Sequence, residues 1–207
     1  MPDEGITVLG AGLVPVTPDV LVARFGAEVT AESVQAALDR CSSALAKMNG
    51  VLKAAEIAAK DRQTAGARVY QAYDGNGSPR GWTASQQLTA RLRDLGTAGD
   101  LISSVIGAAG DAARLHDLSF TVDDPAEARN AARDLAYADA KAKAERYAHL
   151  AGRRLGPVEA IRESDGGGSS PMPGGARMMA FGGAAPPVEA GELEISASVE
   201  VRWGLLS

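Results

Sequence analysis

A Gly-x-Gly pair stands at Gly10 and Gly12, directly after a short apolar stretch, as in a loop that binds a dinucleotide. Such a loop needs a third glycine and must open a helix, so that the phosphates meet backbone N–H groups. Here Pro15 occupies the third position, and the pattern that follows predicts a strand. We therefore interpret the pair as a tight turn and expect no cofactor.

The other residues with chemical potential are scattered along the sequence. His116 and His149 belong to no Cys/His cluster with zinc spacing, and no serine lies in a Gly-x-Ser-x-Gly motif. The pattern places His116 on the apolar side of its strand, which predicts a partly buried structural side chain. Asp123 and Asp124 are adjacent, but Asp124 is better explained as a helix cap. The sequence thus predicts no metal site and no catalytic centre, so we expect a protein that is not an enzyme.

The composition is that of an ordinary globular protein, with 45% hydrophobic and 23% charged residues. The net charge is −5 and no run of Lys and Arg is present, which argues against a nucleic-acid partner. No stretch approaches the ~20 apolar residues of a membrane-spanning helix. The single cysteine, Cys41, excludes an internal disulfide and falls on the apolar side of a predicted helix.

The N-terminal sequence MPDEGITVLGAG has neither the basic region nor the apolar region of a signal peptide. We therefore expect a cytoplasmic location for the chain as written. An exported, periplasmic-type location is the alternative if a signal peptide has been removed.

Hydrophobic periodicity predicts the element order ββα-ββα-βα-ββ. Strands are expected at residues 5–10, 19–29, 66–74, 81–94, 114–122, 157–163 and 192–203. Helices are expected at 31–55 and 98–109, with caps at Thr30 and Thr97. A third helix is expected from Pro125, after the cap Asp124, to a stop at Gly152 and Gly156.

The strands alternate strictly between apolar and polar residues, which is typical of antiparallel sheets that expose one face to solvent. The fold class is therefore α+β, with the three helices packed on one face of the sheets. We expect a single domain over residues 1–207, or two lobes at about 1–95 and 96–207.

Alanine recurs at every fourth position along the third predicted helix. The six residues are Ala128, Ala132, Ala136, Ala140, Ala144 and Ala148. Residues four apart form one ridge of a helix, and a ridge of methyl groups lets another backbone approach closely. A second apolar side runs through Ala131, Leu135, Ala138 and Ala142. We predict that one side packs on the sheet and the other contacts a neighbouring helix or subunit, with Ala136, Ala140 and Ala144 as interaction residues.

Residues 165–187 contain seven Gly and four Pro, which is typical of a flexible loop. The segment also carries Met172, Met178, Met179 and Phe181. Such side chains suit adaptable contacts, so the loop is interpreted either as a disordered insertion or as a segment that a partner or assembly orders.

Taken in order, these features resemble the SIMPL-domain family. The likeness covers about residues 5–204 and rests on the following motifs: Gly10-x-Gly12, Pro18-Asp19, Gly81-Trp82-x-Ala84, the alanine-spaced helix, the Gly/Pro-rich loop and Pro187-Val188-x-x-Gly191. The resemblance implies an α+β fold, no catalytic residues, a large ring-like homo-oligomer for some bacterial members, and a link of some members to oxidative stress.

The sequence as a whole predicts a non-enzymatic module that self-assembles into a homo-oligomer or binds an unidentified protein partner. The resemblance adds a stress-linked role to this prediction. The alternative is a small-molecule-binding protein or an enzyme, with an unrecognised site on the sheet near Trp82, Tyr70 and His116.

Overall fold

The computed structural model describes residues 5–163 and 191–206. Its elements are β1 Gly5–Val16, β2 Val20–Ala31, α1 Val34–Ala54, β3 Arg62–Tyr73, β4 Pro79–Leu92, α2 Ala98–Ala109, β5 Ala113–Thr121, α3 Ala126–Leu150, β6 Arg154–Glu163 and β7 Leu193–Leu206. They follow the predicted order, and every strand pair is antiparallel. The α+β class is thereby confirmed.

The chain divides into two compact units. Of the described residues, unit 1 contains 5–17, 122–163 and 191–206, and unit 2 contains 18–121. The sheet of unit 1 has the strand order β1-β7-β6, and that of unit 2 has the order β3-β4-β2-β5. The division thus falls after residues 17 and 121 instead of at about residue 95, because β1 pairs along its length with the last strand of the chain.

Two helices, α1 and α2, cover one face of the sheet in unit 2. The side chain of Ser33 accepts a hydrogen bond from the Ala36 N–H at 3.2 Å, so α1 starts after Ser33 and the predicted cap Thr30 belongs to β2. The buried side chains of α1 are Ala37, Cys41, Ala44, Leu45, Met48 and Leu52. They pack with Phe25 and its neighbours in one hydrophobic core. The three helices therefore do not share one sheet face, since only two of them belong to this unit.

The helix α2 starts at the predicted residue, but the local contacts there differ from the predicted side-chain cap. The helix begins after Thr97, as expected, but no side chain caps it. The Thr97 hydroxyl donates instead to Asp94 Oδ2 at 2.8 Å. Asp94 Oδ1 also accepts from the Gly96 N–H at 3.1 Å, so the aspartate organises the turn before the helix.

A β-bulge in β5 changes the side of the sheet on which His116 lies. The pairing of β2 with β5 shifts register between Arg24 and Phe25, which leaves His116 as the extra residue. Its side chain is exposed on the open face, where it lies against Gly26, whereas Leu115 packs on the core. The predicted burial of His116 on the apolar side is wrong, because one inserted residue shifts the alternation of side chains by one.

In unit 1, α3 packs on one face of the three-stranded sheet and contacts the apolar side chains of β7. Asp124 Oδ1 accepts a hydrogen bond from the Ala126 N–H at 3.0 Å, but the N-cap position of α3 is Pro125 and no side chain caps the helix, so the predicted cap at Asp124 lies one residue too early. The helix ends at Leu150, and Gly152 follows with a φ of +68°. A left-handed glycine just beyond the last turn is a common way to end a helix.

Candidate functional surfaces

The alanine ridge of α3 is used inside unit 1. Ala132, Ala136, Ala140, Ala144 and Ala148 are at most 1% exposed. The middle three pack with Val199, Val201 and Trp203 of β7 in one cluster. The predicted interaction residues Ala136, Ala140 and Ala144 thus contact strands of their own chain. The remaining predicted interaction residues, Met172, Met178, Met179 and Phe181, lie outside the described residues.

The backbone that approaches the ridge belongs to Gly10 and Gly12 of β1. A Cβ at Gly10 would overlap the carbonyl oxygen of Ala136 and lie 2.7 Å from the Cβ of Ala140. A Cβ at Gly12 would overlap the carbonyl oxygen of Ala132 and lie 2.7 Å from the backbone nitrogen of Ala136. The strand and the helix therefore meet backbone to backbone, which only glycine permits.

The interpretation of Gly10-x-Gly12 as a tight turn is wrong, because both residues lie within β1. Glycines two apart in a strand point to the same face, so the pair forms a groove on the face that meets α3. The sequence contains both surfaces of this contact, as a pair of glycines two residues apart and as alanines four residues apart. Their contact depends on the fold, because more than 100 residues separate the glycines from the helix in the sequence.

A charged pair on α3 binds backbone groups of β1 beside this groove. The Ala11 N–H donates to Asp139 Oδ2 at 2.9 Å, and Lys143 Nζ donates to the Leu9 carbonyl at 3.0 Å. Lys143 Nζ also donates to Asp139 Oδ2 at 2.6 Å. Because β1 is an edge strand, these side chains satisfy backbone groups that an additional strand would otherwise use. We name Asp139 and Lys143 the edge clamp; sequence reasoning missed it, although their spacing of four places them on one side of the helix.

The hydrogen bond from Lys143, reinforced by the one from Ala11, lowers the pKa of Asp139. A folded-state pKa below the unfolded value of about 3.9 means that the carboxylate stabilises the fold above about pH 4. This contribution is lost as the pH falls through the lowered folded-state pKa. We expect Asp139→Asn to lower the Tm at neutral pH, and the difference from wild type to narrow on acidification below about pH 4.

Thermal unfolding followed by circular dichroism across this pH range measures the effect. Asp134→Asn is the matched control, since Asp134 is exposed on the same helix and, within the described residues, its side chain makes no hydrogen bond to β1. A Tm difference for Asp139→Asn that is constant with pH would contradict the role assigned to the charge.

Cys41 has the environment of a structural thiol. It is fully buried, and its Sγ donates to the Ala27 carbonyl at 3.2 Å. Burial raises the pKa of Cys41, so the reactive thiolate is disfavoured. The interpretation of Cys41 as a small buried hydrophobe is thereby confirmed.

The alternative site near Trp82, Tyr70 and His116 is not assembled by the fold. Trp82 packs on the helix-covered face of the sheet. Tyr70 pairs with Thr83, the residue next to Trp82, and side chains of successive residues point to opposite faces, so Tyr70 lies on the open face. His116 is on the open side too, but on β5, at the other edge of the sheet. Three strand spacings, about 14 Å, separate β3 from β5.

Polar groups on the open face of unit 2 are paired with one another. The hydroxyls of Thr30 and Thr83 are 2.7 Å apart. Two ion pairs bridge β2 and β5, with closest distances of 3.9 Å for Arg24–Asp117 and 3.3 Å for Arg114–Glu28. Within residues 5–163 and 191–206, no three His, Cys, Asp or Glu side chains are grouped so as to hold a metal ion. None of the helices in these ranges combines the length and apolar composition needed to cross a membrane.

Large apolar side chains are exposed on three of the four edge strands. They are Leu9 and Leu13 on β1, Val69, Tyr70 and Tyr73 on β3, and Val158 and Ile161 on β6. Proteins usually protect such edges with charged residues, proline or bulges, because exposed apolar edges invite further strand pairing. These strands are therefore the candidate interaction surfaces of the described chain.

Comparison with known proteins bears on the whole of this architecture. The family model SIMPL, described as a protein of unknown function (DUF541), matches residues 6–203, from β1 to β7. The chain is 31% identical to the 26 kDa periplasmic immunogenic protein of Brucella melitensis biotype 1, over 95% of this chain and 82% of that protein. It is equally similar to the 26 kDa periplasmic immunogenic protein of Brucella abortus strain S19, with the same coverage. The resemblance noted from the motifs is thus confirmed, and the chain belongs to the SIMPL family of proteins of unknown function.

Proposed function

We propose that the protein is a non-enzymatic module that acts through its surfaces and assembles into a homo-oligomer. The observation that carries the proposal is the exposure of large apolar side chains on the edge strands β1, β3 and β6. An edge strand offers unpaired N–H and C=O groups, and apolar side chains beside them favour the addition of another strand. Self-association covers both, and closed symmetric assemblies are its usual form.

The absence of a catalytic role is part of this proposal. It is supported by the contacts of the buried titratable side chains, which bind groups of the fold itself. Asp61 is 8% exposed and lies 3.0 Å from Arg93 and 3.8 Å from Arg91, so it joins the start of β3 to the end of β4. The buried Cys41 donates to a backbone carbonyl, and the half-buried Asp139 accepts from a backbone N–H. A stress-linked role would then be indirect, through a protein that the assembly binds.

Size-exclusion chromatography with multi-angle light scattering tests the assembly. Over protein concentrations from about 1 to about 100 µM, we expect a mass that rises to a fixed multiple of the 21.2 kDa chain. A mass of 21.2 kDa at every concentration would refute self-assembly.

We also propose an exported location, in place of the cytoplasmic one expected from the N-terminal sequence. The support is that the relatives at 31% identity are named as periplasmic proteins. A fold with one buried cysteine and no disulfide is compatible with either redox environment. Cell fractionation of a Gram-negative host that produces the protein from its complete gene should recover it in the periplasm, and recovery in the cytosol alone would contradict the proposal.

A further inference from the structure

We infer that residues 68–72 of β3 form the edge through which two copies of the chain pair, so that their unit 2 sheets join into one antiparallel sheet. This inference rests on the proposed self-assembly and names the strand responsible for it. It follows from a comparison of the four strand edges and from the residues that β3 exposes.

The other three edges carry obstacles to strand addition. On β1, the edge clamp already holds the Ala11 N–H and the Leu9 carbonyl. On β6, the register shifts twice around Val158, directly after Pro157, which has no N–H to donate. On β5, the bulge at His116 interrupts the pairing. Bulges and proline are established means by which proteins keep edges from pairing.

Among the described strands β3 lies at the edge of its sheet, and its register shifts between Ala65 and Arg68 and again between Ala72 and Tyr73, with a regular stretch between the two shifts. A bulge with Gly66 at a φ of +61° ends before Arg68, and residues 68–72 then pair in continuous register with Ser85–Gly81 of β4. Val69 is 37% and Tyr70 49% exposed, and the two side chains point to opposite faces of the strand. Val69 pairs with Ala84 on the face that carries the helices, and Tyr70 lies on the open face, yet both side chains stay exposed, so an added strand would shield apolar surface on both sides.

A second copy is the occupant that this segment itself favours. The sequence RVYQA contains β-branched and aromatic residues, a single charge, and neither Gly nor Pro. That composition favours an extended strand and places no cluster of like charges against an identical copy. In an antiparallel arrangement centred on Tyr70, Arg68 lies opposite Ala72 and Val69 lies opposite Gln71 of the other copy. Like charges then do not face each other, and the two tyrosines meet across the two-fold axis, as a self-complementary interface requires.

Val69→Lys tests the inference, because a charge on an edge strand opposes further pairing. Val158→Lys is the matched control, since Val158 is 40% exposed and lies on the edge strand β6 of the other unit. We expect Val69→Lys to weaken self-association at least about tenfold by light scattering, and Val158→Lys to leave the mass of the wild type unchanged. Circular dichroism establishes that each variant is folded, and Tyr70→Lys repeats the test on the opposite face of β3 if Val69→Lys does not fold.

The outcomes separate this inference from the proposed function. If the folded Val69→Lys or Tyr70→Lys variant assembles as the wild type does, the role of β3 is overturned but self-assembly is not. Loss of assembly with Val158→Lys but not with Val69→Lys moves the interface to β6 and also overturns the inference. A wild type that is monomeric throughout refutes both proposals.

Discussion

Gly10→Ala is expected to destabilise the protein by about 3 kcal/mol, near the upper end of the usual cost of overpacking. The added Cβ would overlap the carbonyl oxygen of Ala136, which is backbone and cannot rotate away. The strand β1 and the helix α3 would have to separate. Because the ridge alanines are buried against β1 and β7, separation would loosen all of their contacts at once. Urea unfolding followed by circular dichroism measures the loss.

Gly107→Ala is the control for the substitution itself. Gly107 lies within α2, and a Cβ built there meets nothing within 4 Å. Since alanine is favoured over glycine within a helix, we expect this variant to be more stable than wild type by up to about 1 kcal/mol. If Gly10→Ala were as stable as wild type, the direct contact between the backbones of β1 and α3 would be refuted.

Ala140→Leu is expected to cost about 2–3 kcal/mol for a related reason. Ala140 is fully buried, and its Cβ lies 2.7 Å from where a Cβ at Gly10 would be, so the leucine side chain has no space. Ala142→Leu, two residues away on an exposed side of α3, is expected to change the stability by less than about 0.5 kcal/mol.

This pair of variants also separates two roles of the alanine ridge. A ridge that packs inside unit 1 makes Ala140→Leu less stable whatever the protein concentration. A ridge that lies at a subunit contact would instead leave the stability of the single chain intact and change the assembled mass. Urea unfolding and light scattering of the same sample decide between them, and a change in mass without a loss of stability would contradict the internal role.

The order and type of the elements could be predicted because their signals are local. The helix α2 occupies the predicted residues 98–109, and α3 begins at Ala126, two residues after the predicted cap Asp124. Alternation along β4 and β7 likewise identified the sides that pack on helices. Such patterns depend on neighbours within one turn or one strand, which a single sequence contains.

The errors concern contacts between distant parts of the chain. One error is the interpretation of Gly10 and Gly12 as a turn, since β1 continues through both glycines and Pro15 to Val16. Proline is tolerated there because β1 is an edge strand, and its edge position depends on pairing with β7. The division into units depends on the same long-range pairing, and the bulge at His116 is a single-residue shift that alternation cannot reveal.

The candidate surface was only partly predictable. The sequence identifies a strand around Tyr70 and Tyr73, but it does not say whether that strand is central or at an edge. Only the sheet order β3-β4-β2-β5 makes these side chains exposed groups beside a free edge. The sequence suggested α3 as the interaction surface, whereas the fold buries its alanine ridge and exposes β3.

Amide hydrogen exchange at two protein concentrations tests most directly whether the protein assembles through β3 while the ridge stays internal. We predict that raising the concentration from about 1 to about 100 µM slows exchange of the amides in Arg62–Tyr73 and leaves those of Ala126–Leu150 unchanged. Exchange in β3 that does not depend on concentration, or protection that appears in α3 instead, would contradict this assignment of the surfaces.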